Sequence, residues 1–184
     1  TLQYELSYTN LLNMLDLAGM ELRSKNRGEE DPVIIAGGPC AYNPEPLAEF
    51  VDAFLIGDGE ELLEKVCLAR KGCGSKREFL EKICRYEGVY VPAFYEFVYN
   101  EDGTVSEIKK LYDDAPDRVK RAVVSDIDKV FFPVENIVPF IDTVHDRAVV
   151  ETFRGCTRGC RFCQAGMIYR PVRERSPETI TKIA

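Results

Sequence analysis

The chain has 184 residues, 45% hydrophobic and 30% charged, with 13 Gly and 10 Pro. That length holds a sizeable core, and that composition excludes collagen-like, low-complexity and wholly disordered classes. A formal net charge of −7 argues against a general binder of nucleic acid or anionic membranes, and no run approaches the ~20 apolar residues of a membrane helix. The charge is uneven: from Glu151 onward seven bases face three acids, so the first 150 residues carry −11. The change of sign predicts a boundary between units with different tasks. With no initiator Met and no leader pattern, Thr1 reads as the edge of a fragment.

In chain order, Leu6, Leu11, Leu12, Leu15 and Leu17 recur at helical spacing and predict an amphipathic helix over 4–18, stopped by Gly19. Residues 33–36 form a continuous apolar run, as in a strand covered on both faces, which ends at Gly37-Gly38-Pro39. A short helix is expected over 45–50 and a second buried strand over 52–56, broken by Gly57-Asp58-Gly59. Helices follow over 60–71 and 75–86, the second with Ser75 as N-cap and Glu78 completing a capping box. Strand, helix, strand, helix joined by glycine turns predicts an α/β domain with a parallel, doubly wound, Rossmann-like sheet over residues 1–87.

Residues 88–146 read as a hairpin and linker. Strands over 94–99 and 104–108 flank Asn100-Glu101-Asp102-Gly103, a turn that favours antiparallel pairing. The charged stretch 113–128 is expected as a surface connection, and 131–139, apolar but broken by Pro133 and Pro139, as an extended segment lying on a core. In the last segment, 147–184, a strand over 147–152 feeds a cysteine-rich loop, and Ser176-Pro177-Glu178 opens a helix.

Cys40, Cys67, Cys73 and Cys84 are scattered singly; Cys67 and Cys84 fall on apolar faces of predicted helices, where buried, inert thiols are expected. Cys156, Cys160 and Cys163 instead lie within eight residues as C-x3-C-x2-C. An odd total, a tight triplet and no secretion signal point to a reducing cytoplasm and to metal binding rather than disulfides. Three thiolates on one loop can hold three corners of an iron-sulfur cube and leave one corner open; soft sulfur favours iron-sulfur or zinc over hard cations. Gly155 and Gly159 let the backbone wrap closely, while Arg154, Arg158 and Arg161 offset the charge of a thiolate-bound cluster. A structural zinc site needs a fourth ligand, for which His145 or a distant cysteine would have to serve.

This loop, with Phe162 just before the last cysteine, resembles the C-x3-C-x-aromatic-C loop of radical SAM enzymes. The resemblance implies that Cys156, Cys160 and Cys163 bind a [4Fe-4S] cluster, that the open iron takes S-adenosylmethionine, and that Phe162 lies near the adenine. It further implies reductive cleavage to a 5′-deoxyadenosyl radical, fed by an electron donor such as flavodoxin or ferredoxin. It covers about 149–184, the first strand, loop and helix of a β/α barrel that needs ~200 residues, so the fragment alone is expected to be inactive.

Upstream, Gly37-Gly38-Pro39 and Gly57-Asp58-Gly59-Glu60 sit where doubly wound folds accept nucleotides and related cofactors. Their order and separation resemble the cobalamin-binding-type domain that precedes many radical SAM domains, and imply cobalamin as a further cofactor. A sheet kept as scaffold or dimer surface is the other reading, since no Asp-x-His-x-x-Gly loop occurs within these residues. The runs 4–10, 37–40 and 43–46 look like an uncharacterised clostridial-type branch of this group. The expectation is an internal fragment of a cytoplasmic radical SAM enzyme of unread substrate. Its rivals are a non-enzymatic iron-sulfur or zinc module whose basic segment contacts RNA, and a cobalamin carrier without radical chemistry.

Overall fold

The computed structural model describes residues 1–135, 139–142, 144, 147 and 149–184; His145 and parts of the expected segments 131–139 and 147–152 lie outside the described residues. The chain divides into two compact units, Thr1–Val123 and Val124–Ala184. The hairpin therefore falls in the first unit, and the residues from Val124 go with the second.

In the first unit, helix α1 (Ser7–Leu17) buries Leu15, and the chain reverses at Gly19 in a left-handed conformation. Strand β1 (Ile35–Gly37) pairs in parallel with β2 (Ala53–Leu55), Ile35 opposite Ala53 and Gly37 opposite Leu55. The alternation of a strand divides the core between two faces. Ala53 and Leu55 join Leu62, Val66, Phe79 and Ile83 in one cluster, while Phe54 joins Leu2, Leu47, Val51 and Tyr90 in the other. Helix α2 (Glu60–Lys71) supplies Leu62, Val66 and Ala69 at helical spacing, with acids in its first turn and bases in its last, which complements the helix dipole. Helix α3 (Lys76–Ile83) is capped by Ser75, whose hydroxyl accepts from the Glu78 amide at 3.0 Å; the Glu78 carboxylate accepts from Gly74, one residue further back than a capping box predicts.

The expected parallel sheet is represented by the single pair β1–β2. The third strand, β3 (Val89–Tyr90), runs antiparallel to β2, in the order β1-β2-β3. The predicted hairpin forms between β4 (Tyr95–Tyr99) and β5 (Val105–Lys110), with Phe97 opposite Ile108. The stretch after it is more than a surface connection: Ala115 is buried, Gly88 donates to the Lys120 carbonyl at 2.6 Å, and Ala122 bridges to Gly57. The carboxyl end of β2, the central strand, is thus covered by chain from a region whose charges read as solvated. The expected helix over 45–50 is one 3-10 turn, Glu45–Leu47, and Cys67 is exposed because it lies off the stripe that α2 buries.

In the second unit, β6 (Phe153–Arg154) pairs antiparallel with β7 (Arg173–Glu174), around helix α4 (Ala165–Ile168), and helix α5 (Pro177–Ile183) follows. The strand expected over 147–152 is displaced: its described residues form no ladder, because β7 offers partners only to Phe153 and Arg154, with the Arg175 amide adding one bond to the Thr152 carbonyl at 2.9 Å. Ser176 caps α5 by accepting from the Thr179 amide, as Ser176-Pro177-Glu178 predicts. Within the expected segment 131–139, Phe131 is 83% exposed and, of the described residues, only Phe132 is half-buried, so most of the described stretch does not lie on a core. Among the described residues no helix is long and apolar enough to cross a membrane.

Candidate metal centre

Of the residues read as functional from sequence, the structure brings three cysteines onto one loop and two glycine turns to one end of a strand pair. Cys156 and Cys163 are half-buried, Cys160 is exposed, and all three are free thiols. The loop begins directly after β6 at Gly155, whose φ of +97° favours glycine. A Cβ there would lie 2.6 Å from the Tyr169 carbonyl oxygen and 2.8 Å from that of Pro171, so the loop starts pressed against the backbone leading into β7. Cys163 donates its amide to the Cys160 carbonyl at 3.1 Å, and the Arg158 amide points at Cys156 Sγ at 3.4 Å. Phe162 is 91% exposed and is not packed into the loop.

Among the described residues no three His, Cys, Asp or Glu side chains converge on one point that could hold a metal ion. The donor chemistry nevertheless fits a thiolate-bound cluster. Three soft ligands lie within eight residues, none is sequestered in a disulfide, and a backbone amide is already aimed at one sulfur.

Behind the loop stands a charged network that the spacing of the cysteines did not announce. Glu151 accepts from Arg154 through both oxygens, at 2.8 and 3.0 Å, and from Arg175 at 3.0 Å. Those hydrogen bonds from Arg154, reinforced by the charges of Arg154 and Arg175, hold the Glu151 carboxyl below the usual glutamate range. Arg175 also donates to the Ile127 carbonyl and stacks 5.1 Å above the Phe132 ring. Arg173 donates to the carbonyls of Val124, Pro171 and Tyr169. The Asp128 carboxylate accepts from the Ser176 amide at 3.1 Å. The available sequence signal was the spacing Arg173-x-Arg175, which places two long cations on the same face of an extended segment.

Gly37 closes β1 and Gly57 follows β2, so parallel pairing brings both turns to the carboxyl ends of the strands, as expected. At two of these glycines the space that a Cβ would need is filled by the chain itself. At Gly38 (φ +106°) it would lie 2.7 Å from the Leu2 carbonyl oxygen, and at Gly57 (φ +112°) 2.1 Å from that of Ala122. Leu2 and Cys40 bond across the first turn, and Asp58 donates to Ala122 at 2.9 Å across the second. Pro39 starts a 3-10 turn over Pro39–Tyr42, Asp58 is buried, Gly59 is exposed and caps α2, and Glu60 is its first residue. The glycines at 38 and 57 therefore admit backbone. Gly59 faces open space, and a Cβ at Gly37 would meet Leu55 at an ordinary 3.5 Å.

Residues 1–92 match the family model described as radical SAM proteins, N-terminal. The chain is 30% identical over 187 residues to an uncharacterised protein of Methanocaldococcus jannaschii, an alignment that takes in all of this chain and 33% of that protein. The chain thus spans about a third of the length of the curated relative it matches. No solved structure matches it.

Proposed function

The chain belongs to the family of radical SAM proteins, N-terminal, and from that premise we propose that the protein it forms part of is an iron-sulfur enzyme of the radical SAM type. Cys156, Cys160 and Cys163 are its cluster ligands. The observation that carries the reading is the loop of three free thiols mounted on Gly155 at the end of β6, with the Arg158 amide directed at Cys156 Sγ. A [4Fe-4S] cluster held there supplies, with a one-electron reductant, the electron that reductively cleaves the sulfonium of S-adenosylmethionine.

The chain's own residues prepare that site. Gly155 seats the loop against the backbone before β7, and the Arg158 amide offers a hydrogen bond that stabilises sulfur in its anionic, ligating form. Arg158 and Arg161 add positive charge within the loop, and Phe162 offers an exposed aromatic face to the adenine. Because Gly38 and Gly57 are packed against Leu2 and Ala122, no step is assigned to cobalamin.

The test is anaerobic reconstitution of the full-length protein, followed by iron and sulfide analysis and an assay for 5′-deoxyadenosine after reduction with dithionite. The expected result is about four irons per chain and nucleoside release, both lost on Cys→Ala substitution at any of the three positions. Full iron content and colour in all three single variants would sink the assignment.

A further inference from the structure

Arg173 and Arg175 are the buried charged side chains among the described residues of the second unit, 7% and 5% exposed. Burying a guanidinium is costly unless its donors are matched; Arg173 matches all three of its nitrogens, whereas Arg175 matches its two Nη atoms and leaves a buried Nε without a hydrogen-bond partner. Arg173 spreads three nitrogens over three carbonyls: Nη1 to Val124 at 2.7 Å, Nε to Pro171 at 3.1 Å and Nη2 to Tyr169 at 3.3 Å. The carbonyl oxygens of Tyr169 and Pro171 are also the ones against which Gly155 is packed. One guanidinium thus fixes the wall on which the cysteine loop begins.

Arg175 acts at the other end of the same short ladder. It shares the Glu151 carboxylate with Arg154, the residue that stands opposite Arg173 in the β6–β7 register and immediately precedes Gly155. Its second arm reaches the Ile127 carbonyl, and Ser176 next to it donates to Asp128. A side chain needed only to fill space here would be aliphatic. A lysine, with one compact ammonium, could not meet three separated acceptors.

We propose that Arg173 and Arg175 are positioning residues for the cysteine loop: by holding the Tyr169 and Pro171 carbonyls and the Glu151–Arg154 pair, they fix the backbone of residues 153–156 and so set where Cys156 presents its sulfur. The proposal rests on the reading of the three cysteines as ligands. It assigns two residues downstream of the loop a task that the cysteine spacing does not contain.

The test uses the full-length protein with Arg173→Lys and Arg175→Lys, which keep the charge and remove the fork. Hydrogen exchange is followed first, in metal-free protein, on peptides covering 153–156. Exchange there should run about tenfold faster in each variant, as expected when hydrogen bonds anchoring a short ladder are lost, while Glu60–Lys71 keeps its wild-type protection. After anaerobic reconstitution, the reduced variants should show a shifted electron paramagnetic resonance spectrum and a changed midpoint potential at comparable iron content. A role confined to stability would leave both unmoved. Wild-type exchange rates in both variants overturn the proposal, as does an unchanged spectrum and potential. A wild-type protein that takes up no iron or sulfide overturns the ligand reading instead, and the exchange data tell the two failures apart. If the arginine variants fail to fold, Glu151→Gln, which keeps side-chain shape and weakens the link from Arg154 to Arg175, is read in the same assays with the same expected direction.

Discussion

Replacing Gly57 with alanine tests whether the turn after β2 exists to admit a ligand or to admit the chain's own backbone. At φ +112° an L-residue pays at least the ~1–2 kcal/mol of a left-handed conformation. The new Cβ would sit 2.1 Å from the Ala122 carbonyl oxygen and 2.6 Å from its amide nitrogen, so the segment around Ala122 must withdraw. Withdrawal removes the hydrogen bonds from Asp58 to Ala122 at 2.9 Å and from Ala122 to Ile56 at 2.8 Å, at about 1 kcal/mol each. The total is about 3–4 kcal/mol, a large share of the ~5–15 kcal/mol that holds a typical domain folded. Gly59, two residues on, is the control: its φ is −92° and a Cβ added there would meet no atom within 4 Å, so Gly59→Ala should change stability by under about 1 kcal/mol. Urea unfolding followed by far-UV circular dichroism measures both. A Gly57→Ala variant within about 0.5 kcal/mol of wild type would refute the backbone-packing account and return the turn to ligand binding.

Arg27→Met should cost about 3–5 kcal/mol in the same assay, because it strands the Asp52 carboxylate and the carbonyls of Glu21, Leu22 and Phe50 around a side chain only 1% exposed; a loss under about 1 kcal/mol would show that water replaces the guanidinium. Burial pushes the Tyr95 phenol up to about 12, so its contribution is intact below pH 10.0, the ordinary value, and drains away as pH rises from there toward 12. Tyr95→Phe should therefore flatten the alkaline fall in stability and, at neutral pH, cost about 1 kcal/mol for the lost bond to the Pro116 carbonyl; equal alkaline slopes in both proteins would contradict this.

Local signals were legible where they are complete in a few residues. The bounds of α2 follow from its apolar stripe and terminal charges, the N-cap of α3 from Ser75 and that of α5 from Ser176, and the hairpin from its Asp-Gly turn. The parallel pairing of β1 with β2 was also readable, from two apolar runs joined by a crossover. What closes the sheet was not. The contacts of Leu2 at Gly38 and of Ala122 at Gly57 are made by main-chain atoms, which leave no trace in side-chain pattern, and a two-residue strand such as β3 carries no period to detect. At the cysteine loop the thiols announce themselves by spacing. Arg173 and Arg175 do not, because an arginine beside a glutamate reads as solvated surface until a set of carbonyls is seen to surround it.

The bonds from Arg173 to Val124, from Arg175 to Ile127 and from Ser176 to Asp128 join residues 48 or 49 positions apart, and the cysteine loop lies inside that span. Synthesis therefore delivers all three thiols before the residues that restrain them. At about 5–20 residues per second the gap is brief, yet the long closure must still be made after those residues emerge, against its loop entropy. The second unit accordingly acquires its cysteine geometry late, when its end is tied back to its beginning. A nascent chain offers three unrestrained thiols to whatever oxidant or metal it meets first, and a reducing environment during synthesis protects the loop at the stage when its own architecture does not yet do so.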